Sequence, residues 1–166
     1  AVRNFNGLCY VLNHSPNAVA CVYGSESYSD IKGRVMFYQL RDYVIVRAEV
    51  SGLPKCDKPC ESPIFAFHIH SGEECTGDKT DSFKNVGTHY NPNNYKHPYH
   101  AGDMPPLMGT DGKAFSMFMT DRFTVNEVIG KTVIIHLHPD DFAAQPSGNS
   151  GDKIACGVIN PNCNRR

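Results

Sequence analysis

The sequence predicts an all-β domain, and three observations carry that prediction. Val, Ile, Phe and Tyr recur in short runs, the composition that pleated strands favour. Those runs are cut by turn formers, with 14 Gly and 11 Pro, which suits many short strands joined by turns better than long helices. The stretch Phe65-Ala66-Phe67-His68-Ile69-His70 sets two imidazoles two residues apart inside an apolar alternating run. In a strand, successive side chains take opposite faces, so Phe65, Phe67 and Ile69 share one side and Ala66, His68 and His70 the other. One face can pack a core while the other presents two neutral imidazoles to a metal.

The chain of 166 residues has the size of one domain, with material for a real hydrophobic core. Its formal net charge of −1 argues against bulk nucleic-acid binding and leaves no polybasic membrane patch. No run of apolar residues is long enough to span a membrane as a helix. Attraction for an anionic substrate therefore has to be local, focused by a few cationic groups in a cleft. The seven cysteines include no Cys-x-x-Cys pair of zinc-finger type. They point to disulfides in an oxidising, extracytoplasmic compartment, with one thiol left over because the count is odd. The start Ala1-Val2-Arg3-Asn4 carries no charged-then-apolar leader and reads as a mature or trimmed form.

In chain order, residues 1–17 are polar and turn-rich apart from residues 8–12 and read as an N-terminal extension ahead of one domain, residues 18–166. Residues 18–23, 31–40 and 43–50 are rich in β-branched and aromatic residues and predict three antiparallel strands in a meander. Residues 52–62 form a loop in which Cys56 and Cys60 are close enough to close a small ring. The fourth strand is Ile64–His70. Residues 71–112 are too rich in Gly, Pro, Asn and Asp for regular structure. A loop of that length needs something other than a core to tie it down, such as metal ligands and a disulfide. Strands resume at Lys113–Thr120 and at residues 132–138, where Val133, Ile135 and Leu137 take the core face and Ile134, His136 and His138 the other. A second irregular loop, residues 139–152, leads to a final strand over residues 153–159. Cys21, in the first strand, is expected to point into the core. Cys9 has two candidate partners, Cys163 and Cys21.

Seven of the eight histidines lie between His68 and His138. His89, His97, His100 and Asp103 are a set from which one loop could supply a tetrahedral zinc site. His68, His70 and His136 come from two strands and share an outer face, and imidazoles held by strands suit copper. For any one of these histidines, a solvated surface position is the competing reading. His14 reads as a surface residue, and His138 shares the face of His136.

Five motifs then recur in a known order. They are Phe67-His68-Ile69-His70; Gly87-Thr88-His89-Tyr90-Asn91-Pro92; Lys96-His97 leading to His100-Ala101-Gly102-Asp103; Val133-Ile134-Ile135-His136 with Asp140-Asp141 after it; and residues 148–159 from Gly148-Asn149-Ser150 to Gly157-Val158-Ile159. From residue 18 to residue 159 the chain resembles the copper/zinc superoxide dismutase family. The resemblance implies an eight-stranded antiparallel Greek-key β-barrel, an immunoglobulin-like sandwich, with long metal-binding and electrostatic loops. Copper would be bound by His68, His70, His89 and His136, and zinc by His89, His97, His100 and Asp103, with His89 bridging the two. Asp140 would hydrogen-bond a ligand of each metal. Cys75 and Cys156 would form the disulfide. The activity implied is conversion of two superoxide anions and two protons to dioxygen and hydrogen peroxide by Cu(II)/Cu(I) cycling, with His89 delivering a proton. A homodimer is one assembly the resemblance allows.

The sequence also departs from the family. Lys153 stands where the family has the arginine that docks the substrate anion, and it is the expected guiding cation. Ser71 stands where the family commonly has an acidic residue. The loop over residues 139–152 is short, and His97 and His100 are only three positions apart. These compact loops predict a more exposed copper and weaker anion steering. A competing function follows: a domain of the same family that binds or buffers metal, or mediates contacts, with little or no turnover. The complete ligand set favours the enzyme, whereas Lys153 and the short loops favour the alternative.

Overall fold

A computed structural model describes residues 7–55 and 63–162. Eight strands follow one another: β1 (Ala18–Gly24), β2 (Lys32–Gln39), β3 (Val44–Ser51), β4 (Ile64–His70), β5 (Asp103–Met108), β6 (Lys113–Thr120), β7 (Thr132–His136) and β8 (Lys153–Pro161). They form one antiparallel sheet in the order β5-β4-β7-β8-β1-β2-β3-β6, whose two ends approach each other to make a nearly closed barrel. The non-sequential neighbours β3/β6 and β4/β7 are the crossovers of a Greek key. Phe37, Phe65, Phe67, Ile69, Val133 and Ile135 fill the interior. Each fully buried side chain of this kind contributes about 2–3 kcal/mol. The alternation expected of β4 and β7 holds: Phe65, Phe67, Ile69, Val133 and Ile135 face this core, and Ile134 packs outside it against Phe83 and Cys156. No helix among the described residues is long and apolar enough to cross a membrane.

The stretch expected to be irregular, residues 71–112, ends in a strand. In β5 (Asp103–Met108), Met104 and Leu107 point into the core while Pro105 and Pro106 between them do not, because a bulge sets these two residues, three apart, opposite Phe67 and Phe65, two apart, on β4. Two prolines are tolerated because β5 ladders to β4 on one side only, with a register irregularity between Phe65 and Phe67. The strand has a functional result, because it sets Asp103 opposite His68.

The N-terminal stretch is also more ordered than its composition suggests. Helix α1 (Gly7–Asn13) inserts Val11 into a satellite cluster with Met36, Tyr38 and Ile45 on the outside of β2 and β3. A short helix α2 (Val125–Val128) begins at Thr124, whose N–H and hydroxyl both donate to the Glu127 carboxylate, at 2.6 and 2.7 Å.

Three further expectations meet the structure differently. Cys21 points outward, because β1 turns Ala18, Ala20 and Val22 to the core and the odd positions out. Cys9 and Cys21 are both free and exposed, so the Cys9–Cys21 pairing is not made. Strand β7 stops at His136, two residues early, because its pairing with β8 shifts after Ile135. The Leu137 and His138 N–H groups donate instead to Asp152 and Ser150 carbonyls. Cys56, Cys60 and Cys163 lie outside the described residues.

Candidate metal centre

The outer face of β4 and β7 carries the centre. His68 and His70 project from β4 and His136 from β7, opposite the core side chains Phe67, Ile69 and Ile135. An isolated antiparallel bridge joins His70 to His89 and draws the long loop onto this face. The loop is held there by three means. Ser71 and Gly72 N–H groups donate to Thr88 and Val86 carbonyls at 2.8 and 2.7 Å. Phe83 and Val86 pack against Ile134 and Cys156. The Cys75–Cys156 disulfide closes 81 residues of chain. In a chain-entropy account, a loop of that length stabilises the folded state by about 4–5 kcal/mol.

Two ligand-capable groups result: His68, His70, His89 and His136 in one, and His89, His97, His100 and Asp103 in the other. Within each, the candidate donor atoms lie within 4.8 Å of one another, and His89 belongs to both. The compact loops do not open the first group as expected: none of its four side chains is more than 5% exposed. His138 is exposed and joins neither group.

The donor atoms are prepared for a cation. The Asp140 carboxylate accepts from His68 Nε2 and His97 Nε2, each at 2.8 Å, which assigns the proton to Nε2 and leaves both Nδ1 atoms bare. His70 Nδ1 donates to the Gly87 carbonyl at 2.9 Å and His136 Nδ1 to that of Gly151 at 3.2 Å. Their two Nε2 atoms then face each other at 3.3 Å as unprotonated lone pairs, an arrangement that a cation would relieve. The buried nitrogens His68 Nδ1, His89 Nε2, His97 Nδ1 and His100 Nδ1 have no hydrogen-bond partner. Leaving such atoms unpaired is costly, and a metal satisfies them. Asp103 sits among three imidazoles, with Oδ1 at 2.7 Å from His89 Nδ1 and Oδ2 at 3.1 and 3.3 Å from His97 Nδ1 and His100 Nδ1. Borderline nitrogen and carboxylate donors of this kind suit copper and zinc.

The electrostatics agree. Burial lowers the pKa of His68, His70 and His100 and brings His136 down to about 3, which keeps the rings in the neutral, ligating form. Burial pushes the Asp140 carboxyl up, but hydrogen bonds from His68, the Phe142 N–H and His97 outweigh it and hold it at about 2.

Two supporting residues, Gln145 and Arg122, carried no signal in the sequence. Gln145 clamps the His97 backbone at both ends: the His97 N–H donates to its Oε1 at 3.1 Å and its Nε2 donates to the His97 carbonyl at 2.7 Å. Arg122 Nη1 donates to the carbonyls of Pro98, His100 and Asp103 at 3.1–3.3 Å. Gly148, at φ +70°, lies so close that any Cβ would collide with Asp140 Oδ1 and His97 Nε2. Lys153 is the ladder partner of His136, and its ammonium is ion-paired with Asp81.

Comparisons with known proteins agree with this geometry. Residues 31–159 match the family model of copper/zinc superoxide dismutase. The chain is 32% identical over 146 residues to copper/zinc superoxide dismutase 2 of Aquifex aeolicus (strain VF5), covering 78% of this chain and 80% of that one. It is 32% identical over 142 residues to copper/zinc superoxide dismutase 1 of the same organism, covering 76% and 79%.

Proposed function

This chain belongs to the copper/zinc superoxide dismutase family, and we propose that it is a working enzyme that disproportionates superoxide to dioxygen and hydrogen peroxide. His68, His70, His89 and His136 would hold copper; His89, His97, His100 and Asp103 would hold zinc. Copper, when bound, supplies the one-electron redox chemistry, and zinc has no redox states of its own. The observation that carries the reading is the shared His89. It stands in both ligand groups, with Nδ1 beside Asp103 and Nε2 buried without a partner.

The protein's own groups have defined tasks. Asp140 holds His68 and His97 in the tautomer that offers Nδ1. His89 Nε2 is the atom at which a proton would be held and passed to the reduced substrate. The buried walls exclude bulk water from the ligand nitrogens. Lys153 would supply the positive charge that draws in the anion. A lysine keeps that charge but lacks the planar fork of an arginine, a loss of roughly 1 kcal/mol or about five- to tenfold in rate. The disulfide supports an oxidising compartment outside the cytoplasm.

The test is metal content and superoxide disproportionation on one copper- and zinc-loaded sample. We expect one copper and one zinc per chain and turnover that falls in Lys153→Ala and rises in Lys153→Arg. Full copper occupancy without turnover would establish the second reading, a metal-binding domain with little catalysis. One observation favours that reading: the Lys153 ammonium is already engaged by Asp81.

A further inference from the structure

The Lys153–Asp81 ion pair lies in a polar cleft of about 270 Å³. The cleft adjoins the copper group, since Gly151 lines it and the Gly151 carbonyl accepts from His136 Nδ1. Four charged residues line it: Lys79 and Lys153 against Asp81 and Asp152. They sum to zero. Asp81 arrives from the long loop, and its backbone carbonyl accepts from the N–H groups of Asp78 and Lys84. Its Oδ1 accepts from the Phe83 N–H at 3.0 Å, which turns Oδ2 toward the Lys153 ammonium.

We infer that Asp81 is a specificity-determining residue, whose carboxylate cancels the Lys153 charge so that anions approach His136 through a cleft of no net charge. The inference rests on the enzyme reading above. An ammonium has three donors, and one is spent on Asp81. An anion entering the cleft shares the remaining donors while being repelled by the carboxylate. Strong anions such as phosphate gain little there, and superoxide is drawn in less than it would be by a bare lysine.

The experiment uses the copper- and zinc-loaded protein, with azide as the anion probe and its charge-transfer absorption with copper(II) as the readout. Asp81→Asn keeps the acceptor for the Phe83 N–H and leaves the cleft at +1. Removing one charge roughly 7 Å from a bound anion tightens azide binding about three- to fivefold at an effective dielectric near 60. The gain should shrink in high salt, because an exposed charge is screened. Lys153→Gln is the second variant. It leaves Asp81 unpaired and should weaken azide at least about threefold, and adding Asp81→Asn to it should recover most of that loss. Unchanged or weaker azide binding in Asp81→Asn, or no recovery in the double variant, overturns the inference and leaves the enzyme reading standing. If the wild type shows neither the azide absorption nor turnover, the enzyme reading falls and this inference with it.

Discussion

The centre has a half carried by strands and a half carried by a loop, and the two are secured by different physics. His68, His70 and His136 are placed by the two-residue period of β4 and β7 and by backbone ladders whose other face is the core. Asp103 joins them, as the first residue of β5. His89, His97 and His100 sit on irregular backbone between β4 and β5. Their positions depend on single devices: the bridge to His70, the Gln145 clamp, the Arg122 contacts and the Cys75–Cys156 staple. A ligand on a strand is lost only when the barrel unfolds, whereas a ligand on the loop is lost when its tether is cut.

The largest test removes one ligand from each half. His136→Ala should abolish copper binding and leave zinc near one per chain, whereas His100→Ala should lose zinc and keep copper; metal analysis on both variants decides it. Loss of both metals in either variant would mean that the halves are not separable.

Cutting the staple comes next. Cys75→Ser should cost about 4–5 kcal/mol in denaturant unfolding. Its zinc should be released at lower denaturant than its barrel signal is lost. Simultaneous loss would contradict a division between loop and barrel.

Gly148→Ala is smaller and more local. The methyl group meets the Asp140 carboxylate and His97 at a positive φ, at a cost of about 1–3 kcal/mol. Because Asp140 touches both halves, zinc and copper affinities should both fall, with the far-UV spectrum unchanged.

The smallest effect is on the metal-free protein. The pKa values of His68, His70, His100 and His136 are lowered in the folded state, so below about 6.5 the unfolded chain binds more protons. Stability should therefore decline as pH falls from about 6.5. Asp140 adds to the loss at lower pH, as its carboxyl is protonated between about 4 and 2. A flat profile of urea midpoint between pH 7 and pH 5 would contradict the burial argument.

The strand-borne half was legible in the sequence for a plain reason. A period of two converts directly into a face, so Phe65, Phe67 and Ile69 could be placed opposite His68 and His70 before any coordinates. The order of the histidine motifs pointed to the remaining residues of the two candidate groups. What stayed hidden were contacts between residues far apart in the chain. Strand β5 was masked by Pro105 and Pro106, which signal a loop unless the strand is known to ladder on one side only. Helix α1 was masked by its shortness and by the polar, turn-rich residues on either side of it, and of its apolar side chains Val11 alone is buried while Leu8 and Leu12 stay exposed. The capping pair Thr124 and Glu127 was a readable signal that passed unused. Asp81 and Gln145 have no local signature, because each acts on a residue 72 or 48 positions away. Cys21 was placed on the wrong face by its chemistry, when the alternation of Ala18, Ala20 and Val22 already assigned it outward.

One carboxylate deserves a last consequence. Asp140 is a single rigid plane with one oxygen on His68 and the other on His97. Any ion that pulls electron density from one ring sharpens the proton that ring shares with Asp140, and so alters what the same carboxylate offers the other ring. If both groups hold a metal, their occupancies are linked, and the linkage is the same in both directions. A titration that fills zinc first and copper second should close the same thermodynamic cycle as the reverse order. Toward two bound metals the protein would then behave as one instrument with two strings, tuned by a shared peg.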